Sequence, residues 1–102
     1  MSVAIFKQLT SRMAITVAAT WSGTPLVFNN NGSGSFRVYN AGTKDAQVCV
    51  CDTLAVATAP GTYYFTLGAG QVQLLRGFVG PVYCNAQSSG GGTGDVEFVL
   101  GA

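Results

Sequence analysis

Turn-forming residues interrupt this sequence so often that little room remains for a helix. Clusters of Gly, Pro, Asn and Ser fall at 22–25, 29–34, 40–44, 59–61, 68–70, 80–81 and 88–94, and the intervals between them are mostly five to ten residues long. These residue types favour turns because they reach positive φ, pre-set φ, or hydrogen-bond to their own backbone. Intervals of that length suit strands.

Within the intervals, apolar residues recur with a period of two. Phe36 and Val38 alternate with Arg37 and Tyr39, and Val48 and Val50 with Gln47, Cys49 and Cys51. Tyr63, Phe65 and Leu67 alternate with Tyr64 and Thr66, and Val72 and Leu74 with Gln71, Gln73 and Leu75. Val82, Cys84 and Ala86 alternate with Tyr83, Asn85 and Gln87, and Val96, Phe98 and Leu100 with Asp95, Glu97 and Val99. Successive side chains of a strand point to opposite faces, so each segment has one apolar and one mixed face. Adding 14–19 and 26–28 gives about eight short strands. The expectation is an all-β fold, a single antiparallel β-sandwich of jelly-roll or immunoglobulin-like topology. At 102 residues the chain holds one hydrophobic core and not two. Residues 13–102 are assigned to the sandwich. Residues 1–12, with Ile5, Phe6 and Leu9, read either as an extended arm with apolar anchors or as a first edge strand. Met13 to Ala19 follows Lys7 and Arg12 in loose imitation of a secretory signal, and is read as a strand.

Composition bounds the partners. Charged residues are 9% of the chain and hydrophobic ones 48%, with a net charge of +1. A typical soluble domain carries about 25% charged residues. Disorder needs the opposite balance. A near-neutral, charge-poor surface protects weakly against self-association, so much of it is expected to be covered by other subunits. Lys7, Arg12, Arg37, Lys44 and Arg76 are scattered and form no basic stripe, so a nucleic-acid partner is not expected. No apolar run approaches the roughly 18 residues of a membrane span.

Catalytic equipment is sparse. The chain has no histidine, which removes the commonest general base and most nucleophilic triads. Asp95 and Glu97 share one side of a strand and are read as a solvated face rather than a catalytic carboxylate pair. Cys49 and Cys51 point to one face and Cys84 to the other. With only three thiols and no histidine they are read as small buried hydrophobes in the reduced state, not as a zinc site or a nucleophile. The run from Gly90 to Gly94 lacks the lysine and following helix of a phosphate loop and is read as a flexible hairpin tip. No enzymatic activity, metal or cofactor is expected.

The aromatic residues Trp21, Phe28, Tyr39, Tyr64 and Tyr83 read as core and subunit interface, with a sugar-binding platform as the alternative. The expected outward set, Tyr39, Cys49, Cys51, Tyr64, Leu75, Tyr83 and Val99, is interleaved with uncharged amides and suits a permanent protein contact.

The run Phe36-Arg37-Val38-Tyr39-Asn40-Ala41-Gly42-Thr43, followed by Ala46-Gln47-Val48, the strand near Val72 to Leu75 and the segment from Gly92 to Val99, resembles small head decoration or cement proteins of tailed bacteriophages. The resemblance covers about two-thirds of the chain, from Ser35 onward; the three cysteines lie outside the pattern. It implies a non-enzymatic virion structural protein on the capsid surface, made in the host cytoplasm and acting as a homo-oligomer. Its partners would be the major capsid protein and copies of itself. Expected contact residues are Ile5 and Phe6 as arm anchors, Trp21, Tyr64 and Leu75 as apolar contacts, and Arg76 as a polar tether. The alternative is a carbohydrate- or receptor-binding β module of a fibre or tail.

Overall fold

The computed structural model describes residues 12–101. In chain order these form β1 (Met13–Thr16), β2 (Leu26–Asn40), β3 (Ala46–Cys51), α1 (Leu54–Thr58), β4 (Phe65–Leu67), β5 (Val72–Gln87) and β6 (Asp95–Gly101). All strand pairs are antiparallel, in the continuous order β1-β6-β2-β5-β3-β4.

That order describes two sheets because β2 and β5 each run through both. β5 has 16 residues, which would span about 50 Å if straight. The whole molecule measures 42 Å along its longest axis. In β2, Phe28 and Phe36 are eight residues apart, roughly 26 Å along a straight strand. Their rings meet edge-on with centroids 5.1 Å apart, so the two halves of β2 face each other across the core. The bend falls where the β2–β5 register shifts, between Asn30 and Ser35. Gly77 and Gly80, with φ of 90° and 82°, give β5 a matching turn that a side chain would resist.

One sheet is therefore β1, β6, 35–40 of β2 and 72–76 of β5. The other is 26–30 of β2, 80–87 of β5, β3 and β4. Along the chain the pairs nest: 13–16 with 95–98, 26–30 with 80–84, 35–39 with 72–76, and 46–48 with 65–67. A nested antiparallel ribbon rolled into two four-stranded sheets is a jelly roll. Strand order thus selects the jelly roll over the immunoglobulin-like alternative. The eight expected segments are present, with two pairs of them joined into β2 and β5.

Between the sheets lies one core. Phe36, Val38, Val96, Phe98, Leu100 and Ile15 from one sheet meet Phe28, Val82, Cys84, Ala86, Ala46, Val48 and Leu67 from the other. Alternation put nearly all of these inward, as expected. The first half of β5 is the exception. Phe36 pairs with Leu75 and Val38 with Gln73, so Leu75 turns toward the core while Val72 and Leu74 are 45% and 46% exposed. The period of two is right there and its phase is reversed.

The outer face of the second sheet is also less open than alternation implies. Helix α1 and the segment around Ser22 lie over it and bury Cys49, Asn85 and Ala57. Val99, also expected outward, is buried on the first sheet. Five residues of helix fit between Cys51 and Pro60, where none was expected.

Candidate interaction surface

Asp95 and Glu97 are engaged in structural contacts. Thr16 Oγ1 donates to Asp95 Oδ1 at 2.8 Å, and Arg12 reaches Glu97 at 3.4 Å. Both carboxylates lie on β6 opposite β1 and fasten that edge strand. The glycine-rich run is not a hairpin tip, since β5 and β6 are not paired there. It carries the chain from one sheet to the other and is pinned on the way. Ser88 Oγ accepts from the Gly92 N–H and donates to the Asp45 carbonyl, Lys44 Nζ donates to the Gly90 carbonyl, and the Thr43 and Thr93 backbones bond across the gap. Among the described residues no cluster of three or more His, Cys, Asp or Glu could hold a metal ion. None of the described helices is long and apolar enough to cross a membrane.

Two buried asparagines organise the surface loops, and neither was singled out from sequence. Asn40 donates to the Lys44 and Leu67 carbonyls at 2.8 and 2.9 Å and accepts from the Gly42 N–H at 2.9 Å, shaping the turn after β2. Asn85 projects from β5 on the outer face. It donates to the Ser22 and Ala57 carbonyls at 2.9 and 2.8 Å and accepts from the Ser22 N–H at 3.1 Å. One amide thereby clamps both the Trp21 segment and α1 onto the sheet. The only sequence signal for Asn85 was an amide set between the small apolar Cys84 and Ala86. Every buried side-chain nitrogen or oxygen among the described residues has a partner, as a folded interior requires.

The Asn85 clamp sets Trp21 beside Tyr64, with ring centroids 5.9 Å apart and planes inclined by 58°. Next to them, Tyr63 and Tyr64 border a mainly apolar groove of about 340 Å³. Its floor includes Val48, Val50, Cys51 and Phe65, because β4 stops short and leaves the end of β3 uncovered. A second, more polar groove of about 540 Å³ opens among Lys44, Asp45, Gln47 and Ser89.

The exposed large apolar side chains follow a rule. Among the described side chains they are Met13, Val27, Leu54, Tyr63, Tyr64, Val72 and Leu74. Met13 is on β1, one edge of the first sheet, and Val72 and Leu74 are on its other edge. Val27 is on one edge of the second sheet, and Tyr63 and Tyr64 directly precede β4, its other edge. Of these described residues only Leu54, in α1, falls elsewhere. On the outer face of the first sheet, Arg37 stacks on the Tyr39 ring at 5.7 Å, with Leu74 and Val72 as their cross-strand neighbours.

Of the expected contact residues, Trp21 and Tyr64 are brought together, with Tyr64 lining the groove. Arg76 is exposed on the β5 edge, while Leu75 beside it is partly buried against the core. Ile5 and Phe6 lie outside the described residues. Comparison of the chain with protein-family models, with curated proteins and with solved structures finds no match.

Proposed function

We propose that the protein is a non-enzymatic structural component of a virion, a jelly-roll module that decorates or cements a bacteriophage capsid by bridging coat subunits. The observation that carries this reading is the distribution of exposed apolar side chains over both edges of both sheets. A protein that binds one small ligand gathers its apolar surface into one concavity. A bridging protein needs contact area on several sides. Sheet edges also present unpaired N–H and C=O groups, which free proteins guard with Lys, Pro or bulges. Residues 72–76 read Val-Gln-Leu-Leu-Arg and carry one charge, at the far end.

Magnitudes agree. A standard interface takes about 800 Å² from each partner. The molecule exposes 5711 Å², so two such contacts cover about a quarter of it. Contacts that are individually weak become persistent when a lattice offers many at once. The fold itself is neutral in this argument, since jelly rolls serve both viral capsids and lectins.

The test is addition of purified protein to empty shells of the coat protein encoded in the same genome. The expected outcome is saturable, stoichiometric binding that raises the shell disruption temperature. Leu74→Lys and Tyr64→Lys, at edges of different sheets, should each weaken it. A shell that takes up none of the protein overturns the reading.

The aromatic groove favours a second reading, a carbohydrate- or receptor-binding module using Trp21 and Tyr64. It requires saturable binding on a glycan array that is lost with Trp21→Ala and Tyr64→Ala.

A further inference from the structure

The three thiols are free, and two of them stand in an unusual relation. Cys49 and Cys51 lie two apart on β3 with their Sγ atoms 3.8 Å apart. The Cys49 S–H donates to Cys51 Sγ, and the Cys51 S–H donates to the Thr53 carbonyl at 3.3 Å. Cys84, the third thiol, belongs to the core between the sheets and faces away from this pair.

Distance decides what can join the two sulfurs. A disulfide needs them about 2.05 Å apart and their Cβ atoms about 3.8 Å apart. Residues two apart on an extended strand have Cβ atoms about 7 Å apart, nearly twice that value, so closure would buckle β3 where Cys49 and Cys51 pair with Asn85 and Tyr83. A single bridging ion asks for something different. Two sulfurs about 2.3 Å from one ion, the zinc–thiolate distance, subtending roughly 110–120°, lie about 3.8–4.0 Å apart, and a larger ion widens this by about a few tenths of an ångström. The pair is already close to that spacing, with the strand undistorted.

We propose that Cys49 and Cys51 form a two-thiolate clip for a soft, thiophilic d10 cation of the monovalent copper and cadmium class. Softness follows from the donors, since thiolates select such ions over hard ones. Two thiolates are too few for a closed four-ligand structural site, and the described residues gather no third acid, thiol or imidazole here, so an ion held by the clip takes its remaining ligands from solvent or a small molecule. Cys51 is the point of entry. It borders the groove beside Tyr63 and Tyr64, whereas Cys49 is buried, and the groove leaves room for a small external ligand to complete the coordination. Binding exchanges two S–H protons, released to solvent, for two sulfur–metal bonds; no electrons are transferred.

The experiment is titration of the folded, reduced protein with cadmium ion, followed by thiolate-to-metal charge-transfer absorption and by proton release in weak buffer. The expected result is one cadmium per chain and close to two protons released. The band should vanish with Cys49→Ala and with Cys51→Ser and persist with Cys84→Ala, with circular dichroism reporting the fold of each. Because Cys49 is buried, alkylation of Cys51 in the folded wild-type protein serves as a second block and should also abolish the band. Absence of the band in folded wild-type protein overturns the proposal, as does its survival in either clip variant. Formation of a Cys49–Cys51 disulfide on mild oxidation with the fold intact would overturn the distance argument behind it.

Discussion

Replacing Asn85 with alanine should cost as much as truncating a large core side chain, and the structure says why. The amide is fully buried and makes three hydrogen bonds to elements distant in sequence: the Ser22 N–H, the Ser22 carbonyl and the Ala57 carbonyl. Each contributes about 0.5–1.5 kcal/mol net, and a buried group left unpaired costs about 1–3 kcal/mol. Ser22 is half-buried and water can reach it, but Ala57 is fully buried and its carbonyl has no substitute. The expected loss is about 3–5 kcal/mol, a large fraction of the 5–15 kcal/mol typical of a domain. Urea unfolding measures it. A second readout reports the mechanism: Trp21, the single tryptophan, sits next to Ser22, so loosening the clamp should shift its emission to the red. Asn85→Asp keeps the shape but aims a carboxylate at two carbonyls, so it should be at least as costly near neutral pH and milder in acid, where the protonated group donates again. A loss below about 1 kcal/mol with unchanged emission would refute the clamp.

Three further outcomes follow from the packing. Phe28→Ala removes one ring of the edge-on pair that joins the two halves of β2 and should cost about 3–5 kcal/mol in equilibrium unfolding, with Phe28→Leu much milder. Gly94→Ala should destabilise by about 1–3 kcal/mol. At φ 98° its Cβ would meet Gly42 Cα at 2.8 Å; Gly91→Ala, at φ 83° in open space, isolates the conformational part and should cost less by the same measurement. Burial raises both Cys49, to about 12, and Cys84, further still, from the ordinary value of 9.0. A thiol whose pKa rises on folding stabilises the native state fully below its unfolded value, and that stability is lost as pH rises toward the folded value. Between pH 9 and 11 unfolding free energy should fall by roughly 1 kcal/mol per pH unit for each thiol, and Cys84→Ala should reduce the slope by about half in urea titrations run across that range.

Strands were legible because their signals are local. The alternation from Phe36 to Tyr39 or Val96 to Leu100 encodes both the extended backbone and the buried face, and the structure follows it. The phase of 72–76 was not legible, because facing there is set by register against Phe36 and Val38, a long-range property, on an edge strand with apolar residues at both parities. The cluster from Asn29 to Gly34 looks like a turn and instead bends a continuous strand, since the residues that permit a turn also permit a bulge. Helix α1 has five residues and no side-chain cap, so it carries neither periodicity nor a start signal. Of the surface, Trp21 and Tyr64 were identified and do meet, because exposed aromatics are conspicuous. Asn40 and Asn85 were not, because their value lies in carbonyls contributed by distant segments.

The passage of β2 and β5 through both sheets has a mechanical consequence. In a sandwich of separate strands, a load on one layer reaches the other only by shear across the side-chain interior. Here two unbroken strands stitch the layers together, so tension entering at either layer is carried by backbone. Sliding or peeling one layer from the other must first straighten those two corners, which makes the unit stiff along the direction in which its edges would be pulled.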